Sequence, residues 1–220
     1  MKAKELKHEL KRELKQDASQ KILNAALNEF STYGLSGARM ERIAKAANVN
    51  KAMIFYYFSS KENLYEVVIR KVFSSVYPKM VELISLHPTA EVFLEKAVEI
   101  YVGIFSRNPD FVKMIMIELI QNPGNITTFM KELFEEETVE KTGISSPLRL
   151  KKLIETWYGE EEITEKDPFQ FMLNLISLTL LSFLGKPFLE VIFKSTVPAE
   201  DFERKRIESV VNLLKRGMLT

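Results

Sequence analysis

Apolar residues recur at spacings of three and four along nearly the whole chain, and no stretch keeps the strict alternation that a half-buried strand requires. That periodicity restricts the fold class to all-α. Eight glycines and eight prolines fall mostly between the periodic runs, where they read as helix ends.

The first 18 residues carry four stripes at four-residue spacing, among them Leu6, Leu10 and Leu14 beside Lys7, Lys11 and Lys15. This pattern is that of an amphipathic helical arm, or of a frayed solvated extension. A first helix follows on Ile22, Leu23, Ala26, Leu27 and Phe30, with Ser19 as its cap and Gly34 as its stop. The next pattern, Met40, Ile43, Ala44 and Ala47, gives way at Asn48 and Val49 to a short segment containing Ile54 and Phe58. Two short helices joined by about three residues are the layout of a helix-turn-helix, here spanning 39–58. Ser59 followed by Glu62 is a capping-box signature for a fourth helix, with Pro78 a natural place for it to end or kink. Further helices are expected at 90–106, 109–121, 126–140, 147–160, 168–194 and 199–217. The organisation expected is thus a charged arm (1–18), a three-helix helix-turn-helix domain (19–66) and a larger C-terminal helical domain (67–220).

Charge is unevenly distributed. Residues 1–66 hold 12 Lys and Arg against 8 Asp and Glu, and the remainder holds 19 against 22. The N-terminal third is the end suited to a polyanion. No cysteine is present, which removes thiolate nucleophiles, disulfides and Cys-ligated metals. With His8 and His87 the only histidines and no Gly-rich phosphate loop, neither an enzyme nor a metal or organic cofactor is expected. The acidic run Glu160–Glu162 reads as solvated helix-end charge. Polar Gln170, Asn174, Ser177, Thr179 and Ser182 interrupt the longest apolar stretch, so it reads as a buried or interface helix rather than a membrane span. The charged N-terminus is unlike a secretory signal, and a cytoplasmic location is expected.

Between Ile22 and Leu64 the chain resembles the DNA-binding domain of the TetR family of bacterial regulators. The resemblance lies in Ile22-Leu23-x-Ala25-Ala26, Phe30, Gly34, Met40-x-x-Ile43-Ala44-x-x-Ala47, Val49, Lys51, Ile54 to Phe58 and Ser60-Lys61-Glu62-x-Leu64. It implies a ligand-responsive transcriptional regulator, by family default a repressor. Such a protein binds a palindromic operator as a homodimer through its last two helices, and a small-molecule effector releases it. The alternative is a helical interaction module with no specific DNA affinity. Asn50, Lys51, Ala52 and Met53 lie at the start of the recognition helix, where side chains reach base edges. Arg39, Met40, Tyr56, Tyr57 and Lys61 complete the expected DNA-binding set; Tyr56, Tyr57 and Lys61 match family positions that touch phosphate. The chain departs from the family pattern at several positions: Ala38 replaces a capping Thr, Glu41 and Arg42 a common Arg-Asp order, Asn48 the usual turn Gly, and Phe55 a common Tyr. For the effector, Phe111, Met114, Glu118, Trp157 and Phe171 mark a neighbourhood of adaptable apolar side chains with a polar anchor, a composition shared with ordinary helix cores.

Overall fold

The computed structural model describes residues 2–121, 124, 127–128, 130–132 and 146–220, with residues 2–15 as backbone alone. Helices account for the secondary structure of these residues, in the order α1 (Lys2–Gly37), α2 (Met40–Ala47), α3 (Lys51–Phe58), α4 (Lys61–Ser85), α5 (Ala90–Arg107), α6 (Pro109–Gln121), α7 (Ser146–Gly159), α8 (Pro168–Ile192) and α9 (Ala199–Met218). An isolated antiparallel bridge joins Ile163 to Leu219. The helix expected at 126–140 lies largely outside the described residues. Two compact units result: Met1–Phe73 with Lys113–Gln121, and Ser74–Val112 with Asn122–Thr220.

In the first unit the arm and the first helix are one element. Ser19 caps nothing, because Lys21 pairs with Asp17 at 2.6 Å and Gln20 donates to Asn24 at 2.8 Å, carrying the helix across the expected junction. Gly34 ends the regular turn as expected, with φ 63° and ψ 179°, a conformation costly for any side-chain-bearing residue. The α2 cap position is Arg39 rather than Ala38, and the Arg39 side chain caps nothing. Instead the carboxylate of Glu29, buried on α1, accepts the Arg39 amide at 2.8 Å and the Nε of Arg42 at 2.8 Å. Arg42 also donates to the Gly37 carbonyl at 2.9 Å and lies over the Tyr33 ring. One long-range carboxylate thus replaces a local cap and fixes the joint between α1 and α2.

Asn48 takes the left-handed conformation, φ 54° and ψ 46°, that the turn demands and that Asn tolerates better than most residues. The α4 cap is Ser60, which accepts the Asn63 amide at 3.0 Å, one residue later than the capping-box pattern indicated; Ser59 instead takes a positive φ of 62° to turn the chain. Pro78 sits inside α4, which runs on to Ser85. The second half of α6 belongs to this unit: Tyr65 of α4 donates its hydroxyl to the buried Glu118 carboxylate and stands edge-on to Phe30, 4.9 Å between centroids. The unit therefore extends past residue 66 and takes in a segment distant in sequence.

The second unit is built on an aromatic triangle. Phe93 of α5, Trp157 of α7 and Phe171 of α8 have centroids 5.4, 6.0 and 6.2 Å apart. Trp157 donates Nε1 to the Pro88 carbonyl at 3.0 Å, which satisfies the indole. Glu162 departs from its expected solvated role, since its carboxylate accepts the Ala90 amide at 2.8 Å and caps α5. Asp167 accepts the Phe169 amide at 2.9 Å, with Pro168 at the first helical position of α8.

Removal of the Glu29 carboxylate leaves the α2 N-terminus without its acceptor and Arg42 without its partner. Glu29→Ala is expected to lower the unfolding free energy by about 2 kcal/mol. Glu29→Gln retains one acceptor and should lose about half as much. Urea denaturation followed by circular dichroism measures both, and an unshifted midpoint for the alanine variant would remove Glu29 from this role.

Candidate nucleic-acid interface

The helix-turn-helix sorts its residues by a simple geometric rule. Met40, Ile43, Ala44 and Ala47 of α2 lie on one face and are buried, as are Ile54 and Phe58 of α3. The remaining positions of α3 face outward, so Lys51, Ala52, Met53, Phe55 and Tyr56 form the exposed surface of an eight-residue helix. Tyr56 is 72% exposed and Met53 37%, whereas Tyr57 is half-buried and packs edge-on to Tyr56 at 5.4 Å. Phe55 is exposed without a hydroxyl to offer.

Two of the expected contacts are placed differently from the sequence reading. Met40 is 6% exposed, because it opens the buried stripe of α2; its side chain serves the core. Lys61 is half-buried and donates Nζ to the Leu35 carbonyl at 2.8 Å and more weakly to that of Ala38, closing the α1–α2 connection. Asn50 is the α3 N-cap, with Oδ1 accepting the Ala52 amide at 2.9 Å, which leaves its Nδ2 group to face outward contacts.

Charge on this face is partly cancelled. The Lys51 ammonium is hydrogen-bonded to the Glu41 carboxylate of α2 and lies 5.7 Å from the Phe55 ring centroid. That hydrogen bond, foremost, holds the Glu41 carboxyl below its ordinary range, and Arg39 adds a weaker pull in the same direction. Arg39 is itself exposed at the N-terminus of α2. Glu41 was absent from the sequence-derived set; its position ten residues before Lys51 carried no local signal, since the pair forms only across the turn.

The residues named for the effector are divided between the two units. Trp157 and Phe171 touch each other in the core of the second unit, and Phe111 is buried in the same unit. Met114 and Glu118 are buried in the first unit, Glu118 at 0% exposure against Tyr65.

An exposed, short, second helix of a helix-turn-helix, carrying small and apolar side chains at its start and a phenol further along, is the geometry of a major-groove reader. Comparison with known proteins agrees. Residues 22–68 match the family model described as bacterial regulatory proteins, tetR family. The chain is 25% identical over 202 residues to the transcriptional regulator RutR of Escherichia coli K12, covering 90% of this chain and 88% of that one. It is 34% identical over 97 residues to the transcriptional repressor NicS of Pseudomonas putida, covering 44% and 46%. In fold it is similar to HlyIIR, a hemolysin II transcriptional regulator, with a TM-score of 0.55 at 22% identity over 89% of this chain and 97% of that one. A TM-score of 0.62 relates it to the probable transcriptional regulatory protein RHA5900, at 16% identity over 88% and 97%. With its reading helix exposed, the chain is a helix-turn-helix transcriptional regulator whose residues 22–68 match the tetR-family model.

Proposed function

We propose that this regulator is a ligand-released repressor that binds a palindromic operator as a homodimer in the cytoplasm. The observation that carries the reading is the outward face of α3, where Ala52 and Met53 stand free to approach base edges while Ile54 and Phe58 anchor the helix from behind. Arg39, Lys51 and Tyr56 supply phosphate contacts that orient the head without reading sequence.

The partner assigned is a second copy of the chain, seated on α8 and α9. Phe171 and Leu175 commit one side of α8 to the core, yet Leu173, Leu181, Leu184, Phe188 and Ile192 remain exposed on it. So much apolar surface on one long helix favours a permanent interface. A two-fold pairing places two recognition helices on successive major grooves. The effector is assigned to the second unit.

Selection from a random pool of duplexes is expected to enrich a palindrome, with affinity that falls steeply as salt rises; a pool that enriches nothing would refute the repressor reading. Met53→Ala should change the ranking of selected sites, whereas Tyr56→Phe should weaken all sites alike, by about 1 kcal/mol. Lys61→Ala is expected to lower both DNA affinity and thermal stability, because its ammonium closes the carbonyls of Leu35 and Ala38. Leu181→Glu should convert the dimer to monomer in sedimentation equilibrium and abolish tight operator binding.

A further inference from the structure

We infer that Glu41 is an electrostatic brake on DNA binding, which sets how much of this regulator's affinity is sequence-independent. This rests on the DNA-binding reading above and concerns the same surface.

Lys51 is the first residue of the recognition helix, and in the unbound protein its ammonium is held by the Glu41 carboxylate from across the turn. Both side chains are largely exposed, at 46% and 66%. An ion pair so exposed adds little to folding. Its consequence for a polyanionic partner is greater. A phosphate that approaches Lys51 must displace one carboxylate and then lie near it, and the same carboxylate faces Arg39, whose charge also favours its ionised form. Glu41 thus discounts the charge of Lys51 on this face. Ala52 and Met53 are uncharged, so their contribution to base recognition is untouched. The brake acts on the electrostatic share, which random DNA relies on almost entirely.

Because Glu41 acts through Lys51, the salt dependence of binding reports it directly. The full-length protein would be titrated with a random-sequence duplex and with a selected operator at about 50 to about 200 mM salt. Glu41→Gln is expected to tighten binding to both duplexes and to steepen the slope of log affinity against log salt by about 0.9, one further phosphate neutralised. The gain should therefore shrink about threefold between those two salt concentrations. In a Lys51→Ala background the same substitution should leave the slope unchanged, since no ammonium is released. A merely structural Glu41 would alter melting without altering the slope. If Glu41→Gln binds with the wild-type slope, or steepens it equally without Lys51, the brake is overturned while DNA binding stands. If neither protein binds any duplex, the regulator reading fails as well.

Discussion

The buried carboxylate of Glu29 is the constraint on which the DNA-reading head depends. A helix N-terminus needs acceptors for its first amides, and a short helix such as α2 has few other sources of stability. Here the acceptor comes from α1, ten residues earlier, and the same oxygens bind Arg42. Capping and tertiary packing are consequently one interaction. Lys61 reinforces the joint from α4 by bonding the Leu35 and Ala38 carbonyls, so three helices meet at the turn that Gly34 opens. With α2 held in this way and Asn48 supplying the left-handed turn, the direction of α3 follows, and with it the division between inward Ile54 and outward Met53.

The second half of α6 shows the same preference for long-range polar contacts. Glu118 buries a carboxylate against the Tyr65 hydroxyl, and burial together with that hydrogen bond raises the phenol far above its ordinary range. A buried acid is costly unless bonded, so the pair fixes the register of α6 against α4 more strictly than apolar packing would. Gln121 lies so close to Gly34 that a methyl group there would meet its side-chain oxygen at 2.7 Å. The Gln121 side chain is flexible and exposed and can swing aside, so the positive φ is what requires glycine at position 34.

How much of this was legible in the sequence depends on the range of the interaction. The span of α6, 109–121, and the starts of α8 and α9 could be read directly, because apolar periodicity and the prolines that fall between the periodic runs are local signals. The helix-turn-helix was legible as well, since its buried stripe and its turn residue are both local. Legibility failed where a partner lies far along the chain. Ser19 has the character of a cap but is overridden by helical pairs on either side. Glu162 looked like solvated charge until the α5 amides were placed beside it. Of the proposed DNA contacts, Met40 was misplaced because one helical position serves either a buried stripe or a groove, and periodicity alone put it in both. Trp157 and Phe171 have the composition of a ligand site, but their mutual contact with Phe93 shows the tight aromatic packing of a core.

The cations of the head illustrate why a count of basic residues overstates the capacity to bind DNA. Arg42 is committed to Glu29, Gly37 and Tyr33, and the Lys61 ammonium to two carbonyls. Lys51 shares its charge with Glu41. Arg39 is exposed, yet it also lies within the field of that carboxylate. The surface offered to a duplex is thus led by Ala52, Met53, Phe55 and Tyr56, groups that gain by fit rather than by charge. On the proposed repressor reading, such groups would select sites by their fit to base edges rather than by charge.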